Sequence, residues 1–116
     1  LYPLVVQIAL HHELGLEVLL EIHNAEELAH TNDSVDMLGV NNRNLKTFEQ
    51  SIQTSFDLAA LIPDKFVKVS ESGISSVETV KELRKIGYRG FLMGENFMKE
   101  NHPDVALNSF IEKLRI

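Results

Sequence analysis

The chain has 116 residues, 11 Lys and Arg against 17 Asp and Glu, a net charge of −6 and no cysteine. Mixed charges of net acidic sign leave no basic footprint for nucleic acid or an anionic membrane surface, and the missing thiols exclude disulfides, thiolate metal sites and cysteine nucleophiles. No apolar run approaches the roughly 20 residues of a membrane span and no signal segment opens the chain, so a cytoplasmic location is expected. The first residue is Leu1 rather than a methionine, which points to a piece of a longer protein.

In chain order, Leu4 to Leu14 carries apolar residues on a helical period and ends at Gly15, a helix C-cap signal. Glu17 to Ile22 (EVLLEI) reads as a strand covered on both faces. Asn24, followed by Glu26 and Glu27, starts a helix running to about Thr31, with acidic groups in its first turn. Asp36 to Val40 is a second strand, followed by the polar run Asn41-Asn42-Arg43-Asn44. A helix from Ser51 to Ile62 stops at Pro63, and Phe66 to Ser70 is a third strand broken by Ser72-Gly73. Ser76 to Ile86 is a helix with Val77, Val80, Leu83 and Ile86 on one stripe. Arg89 to Met93 is a fourth strand ending at Gly94, and Pro103 opens a last helix with the stripe Val105, Leu107, Phe110, Ile111, Leu114. This order, α-β-α-β-α-β-α-β-α with no linker, is that of an α/β fold with a parallel sheet and crossover helices. Four strands suit a small open sheet or part of a barrel, and pattern alone does not choose.

The residues at the C-terminal ends of the four strands are Glu21, Asn41, Glu71 and Gly94, spaced by 20, 30 and 23 residues, one βα unit each. A parallel sheet brings those ends to one edge, where ligands of α/β folds bind. A carboxylate in an apolar strand is costly to bury without a partner; the alternative for each position is a strand end already in solvent. The segment Ser70-Glu71-Ser72-Gly73-Ile74-Ser75-Ser76 offers backbone N–H groups at a helix start, and Gly94 does so ahead of Asn96; both suit a phosphate, unless they are ordinary turns capped by Ser75 or Ser76. Arg43 is placed to clamp a substrate carboxylate or phosphate, or else is a solvated arginine or one tied to Glu21 or Glu71. His11, His12, His30 and His102 show no metal spacing; His23 either supports Glu21 or, as favoured here, faces solvent. Ser72 lacks a triad partner, and no P-loop, GxSxG or dinucleotide glycine pattern occurs.

The segments GLEVLLEIHNAEEL (15–28), LGVNNRNLKTFE (38–49), KVSESGIS (68–75) and GFLMGENFM (90–98) resemble indole-3-glycerol phosphate synthase of tryptophan biosynthesis, in that family's order and spacing. NNRNL is the most specific block. The resemblance implies that the whole chain, residues 1–116, is a single fragment, the C-terminal half of a (β/α)8 TIM barrel, with strands five to eight and Leu1 to Leu14 as the helix after strand four. A complete barrel needs roughly 250 residues. The family closes the indole ring of a carboxyphenylamino-deoxyribulose phosphate, releasing CO₂ and water, with no metal or organic cofactor. By this resemblance Glu21 is the glutamate of proton transfer, Asn41 orients substrate, Arg43 is the arginine of the same loop and Glu71 sits at the pocket mouth. Ser72, Gly73, Gly94 and Glu95 match the loops that hold the sugar phosphate. A carboxylate beside phosphate is unfavourable, so Glu95 is expected to offer its backbone and turn its side chain away.

The family's first-half glutamate and two lysines, one of them the expected general acid, have no counterpart here. The chain alone is therefore expected to be inactive. Its inner sheet face, including Leu19, Met37, Val67 and Val69, lacks an opposite wall, so either the missing N-terminal half-barrel or self-association should cover it. Two other readings stand beside this one: a fragment of another phosphate-binding barrel, such as phosphoribosylanthranilate isomerase, and a non-catalytic phosphate-binding module.

Overall fold

A computed structural model describes residues 14–44 and 46–115. The expected helix over Leu4 to Leu14 lies outside them, save its last residue. Four strands, β1 (Leu19–Ile22), β2 (Met37–Asn41), β3 (Val67–Glu71) and β4 (Tyr88–Leu92), form one sheet in the order β1-β2-β3-β4. Every neighbouring pair is parallel, with Glu21 opposite Gly39, and Asn41 opposite Glu71 opposite Leu92. The polar strand ends therefore do lie along one edge.

The connections are a 3-10 helix (Ala25–His30), α1 (Gln53–Ala59) and α2 (Val77–Lys85). After β4 the chain makes a short helix, α3 (Gly94–Met98), before α4 (Pro103–Leu114). The Asn24 segment differs from the α-helix expected of it. Asn24 does cap it, its Oδ1 accepting from Glu27 N at 3.0 Å, but none of the six residues is buried, so only a tighter, shorter turn forms. Ser76 is the cap of α2, accepting from Thr79 N at 3.1 Å, as one of the two expected serines. Gln53 to Ala59 is shorter than the 51–62 span expected, and α3 was not anticipated as a separate element.

The core lies between the sheet and its helices. Leu20, Ile22, Leu38, Val40 and Tyr88 from the strands meet Leu58, Ile62, Val80 and Leu83 from the connecting segments. Val77, Val80 and Leu83 of the α2 stripe are buried, while Ile86 falls at the helix end and is partly exposed. On α4, Phe110 and Leu114 pack on the core and Phe110 meets Phe97 edge-to-face with centroids 5.6 Å apart, whereas Val105 and Leu107 stay exposed.

The opposite, inner face of the sheet is open. Leu19 is 41% exposed, Val67 44% and Leu92 52%. Val69 departs from the expectation and is buried. Its neighbours in register are Gly39 and Gly90, so it settles between the flanking strands, its Cγ2 3.1 Å from where a Gly90 Cβ would lie. Among the described residues, no helix is long and apolar enough to cross a membrane.

Candidate active site at the carboxyl edge of the sheet

Two carboxylates meet at this edge although their strands are not neighbours. Glu21 stands on β1 and Glu71 on β3, with β2 between them. Gly39 of β2 makes the meeting possible: Glu71 Oε2 leans into the space above it, and a Cβ there would collide with that oxygen. A glycine inside an apolar strand often marks such a close approach. Glu71 is buried, and among the described residues no amine, amide or hydroxyl donor reaches its Oε2. Burial, then the hydrogen bond and negative charge of Glu21, push the Glu71 carboxyl up from 4.5 to about 8. Glu71 accordingly keeps its proton at neutral pH.

His23 follows Glu21 and is not the solvent-facing side chain expected. Its side chain is 17% exposed, with Nε2 3.6 Å from Glu21 Oε2 and Nδ1 3.4 Å from Glu27 Oε1.

The loop after β2 is built by its asparagines. Asn41 Oδ1 accepts from Arg43 N at 2.9 Å, a local turn that fixes the arginine's backbone. Asn42 turns inward. Its Nδ2 donates to Ser70 Oγ (3.2 Å) and to the Ser72 carbonyl (3.0 Å), while its Oδ1 accepts from Ser55 N (3.1 Å) and Ser55 Oγ (2.8 Å). Ser70 Oγ lies 2.7 Å from Ser55 Oγ, which closes a buried ring in which Ser55 donates to Asn42 and Ser70 donates to Ser55. Tyr88 adds a bond from its hydroxyl to the Ser55 carbonyl at 2.7 Å, and burial pushes its phenol up to about 12. Asn42 thus ties β2, α1 and the β3 loop together.

That tie matters because the β3 loop is strained. Ser72 has φ 72° and Gly73 φ 74°, two successive left-handed residues of which the serine pays about 1 kcal/mol or more. The Asn42 bond to the Ser72 carbonyl holds it. Successive N–H groups in such a loop form a concavity suited to an anion.

Arg43 is tied neither to Glu21 nor to Glu71. Its Nη2 lies 3.2 Å from Glu95 Oε2, and Gln50, its amide turned so that the oxygen faces the guanidinium, accepts from Nε at 3.2 Å. Glu95, 80% exposed, thus points its side chain at Arg43, joining the loops after β2 and β4. Between the loops after β3 and β4 lies an open cleft of about 340 Å³. Glu71, Ser72, Gly73, Gly94 and Glu95 line it, together with Gln50 and Lys99. Lys99 is its one cation among the described lining residues. Glu21, Asn41 and Arg43 stand outside this cleft, along the same sheet edge.

Sequence reasoning missed Gly39, Asn42, Gln50 and Lys99. The glycine inside DMLGV was a readable signal for the first; the others depend on tertiary neighbours. No group of three His, Asp or Glu side chains converges as a metal site among the described residues.

Parallel strands alternating with helices, with paired carboxylates and glycine loops at the carboxyl edge, define the class of (β/α) proteins whose chemistry sits on that edge. Residues 4–110 match the family described as indole-3-glycerol phosphate synthase. The chain is 56% identical over 104 residues to the indole-3-glycerol phosphate synthase of Bacteroides thetaiotaomicron, covering 90% of this chain and 40% of that protein. It is 48% identical over 101 residues to that of Chromobacterium violaceum (86% and 38%), and 48% over 98 residues to that of Polynucleobacter asymbioticus (84% and 37%). The chain belongs to the indole-3-glycerol phosphate synthase family. It spans about 40% of the length of the relatives it matches, and its four parallel strands are those of a half-barrel.

Proposed function

We propose that this chain is one half-barrel unit of an indole-3-glycerol phosphate synthase, supplying the phosphate grip and two carboxyls for ring closure of 1-(2-carboxyphenylamino)-1-deoxyribulose 5-phosphate. The observation that carries the reading is the Glu21–Glu71 pair over Gly39, beside the Gly73 and Gly94 loops.

Ring closure joins an aromatic carbon to the sugar carbonyl carbon, expels CO₂ from that aromatic carbon, and then removes water. The last step requires one group to give a proton to the departing hydroxyl and another to take one. A carboxyl that keeps its proton to about pH 8, next to a second carboxyl, divides those roles: Glu71 donates and Glu21 accepts. Asn41 orients the substrate, and Arg43 exchanges its exposed partner Glu95 for a substrate anion. Ser72, Gly73, Gly94 and the Glu95 backbone hold the phosphate, with no metal or organic cofactor in the scheme. The lysine expected to protonate the carbonyl belongs to the first half of the family's barrel, so the isolated chain binds without turning over. The synthase names of the relatives favour this reading over an isomerase barrel.

Titrating the chain with the ribulose phosphate substrate tests it. Saturable binding is expected, weakened about tenfold or more by Gly73→Asp, a loss of about 1.4 kcal/mol, with CO₂ release at background. No binding contradicts the site; turnover above background contradicts the division of labour. The open inner face is covered by the N-terminal half in the complete protein and by self-association in the isolated chain. Sedimentation should show concentration-dependent association, and a clean monomer would count against it. A biosynthetic enzyme of this kind belongs in the cytoplasm.

A further inference from the structure

Among the described residues, two buried polar atoms at the sheet edge are reached by no amine, amide or hydroxyl donor or acceptor, Glu71 Oε2 and His23 Nε2. Both lie beside Glu21. The imidazole is gripped from behind: Nδ1 lies 3.4 Å from Glu27 Oε1, which also accepts from the His23 amide at 3.3 Å. Glu27 in turn is fixed by its own amide, which donates to the side chain of the N-cap Asn24, Oδ1, at 3.0 Å. The result is a row running Glu27, His23, Glu21, Glu71, in which Glu21 meets Glu71 on one side and His23 on the other. At 42% exposed, Glu21 is the most open member of the row, and solvent competes for it with Glu71.

We propose that His23 is a positioning residue for Glu21: clamped by Glu27, its imidazole Nε2 keeps the Glu21 carboxylate turned toward Glu71 across Gly39. The inference rests on the reading of Glu21 and Glu71 as the proton-transfer pair, and it gives His23 no contact with substrate. The 3.6 Å separation from Glu21 Oε2 is longer than a hydrogen bond, as contacts of this kind often are before substrate closes the site. The charged groups facing the row are Glu21 from β1, Glu27 from the 3-10 helix and Glu71 from β3. β2 contributes the uncharged Gly39 and Asn41. Across the cleft stand Glu95, held by Arg43, and Lys99.

The Glu71 carboxyl reports where Glu21 is, because Glu21 is one of the causes that raise it. Carbon-13 NMR titration of the side-chain carboxyls in the 116-residue chain, with amide spectra to confirm folding, reads it directly. The parent should titrate at Glu71 near 8, and Glu21→Gln should lower that midpoint. His23→Leu should reproduce most of that fall by releasing Glu21. His23→Gln, which still offers an N–H where Nε2 stood, should restore the parent value. An unchanged midpoint in His23→Leu overturns the inference, and so does an equal fall in His23→Leu and His23→Gln, which would mean packing alone. His23→Phe replaces the leucine variant should that one not fold. If Glu21→Gln itself leaves Glu71 unmoved, the carboxyl pair fails and the inference with it. A fall in Glu21→Gln without one in His23→Leu removes His23 alone.

Discussion

The two faces of this sheet are made from the same strands and meet opposite fates. On the helix side, Ile22, Leu38, Val40 and Tyr88 are fully buried; on the other, Leu19, Val67 and Leu92 remain 41–52% exposed. Alternation along each strand sends successive side chains to opposite faces, so one layer of crossover helices completes one face only. The helix layer supplies the buried core, and the inner face is left open. The site lies where these regimes meet: Glu71 is on the inner face yet buried, because Gly39 lets it lie down against the sheet. The buried Asn42 ring on the other side braces the loop beside it.

The contrast breaks most sharply under truncation. Leu38→Ala on the helix side should cost about 2–5 kcal/mol in urea unfolding, while Val67→Ala on the open face should cost about 0.5 kcal/mol or less. Both costs are measured at dilutions where the chain is monomeric, and equal costs there would mean that the chain covers its own inner face. Asn42→Ala removes two donated and two accepted bonds and leaves Ser55 and Ser70 with fewer partners; a loss of about 1–3 kcal/mol is expected, with weaker phosphate binding as Ser72 relaxes. Smaller, and specific to the rim, is a pH effect. Native Glu71 holds its proton to about 8 against 4.5 ordinarily, so the native state binds more protons than the unfolded chain between those values. The stability contributed by that proton is complete below 4.5, declines as pH rises and is gone above about 8. Glu71→Gln should flatten that slope in unfolding measured from pH 4.5 to 8.5, and an unchanged slope would contradict the shift.

What the sequence made legible follows from the same geometry. Strand order, the common edge of Glu21, Asn41, Glu71 and Gly94, and the Ser76 cap all depend on local pattern and period, and the structure shows each. Gly39 was passed over because its importance appears only when β1 and β3 are brought to either side of it. Arg43 stands out in its loop by charge, but its partners Glu95 and Gln50 come from other loops, and charge alone could not choose among the carboxylates in reach. Asn42 looked like one more polar loop residue, since a buried ring with Ser55 and Ser70 leaves no periodic trace. Val69 was expected on the open face with Leu19 and Val67; glycines on both neighbouring strands let it sink.

The central claim is that this half-barrel carries its anion grip at the carboxyl edge of the sheet. Amide chemical shifts followed during titration with inorganic phosphate test that most directly. The structure predicts saturable shifts centred on Ser72 to Ser75 and Gly94 to Asn96, abolished by Gly73→Asp. Shifts confined to the basic groove of Lys81, Arg84, Lys85, Arg89 and Arg115, with the two glycine loops unmoved, would contradict it.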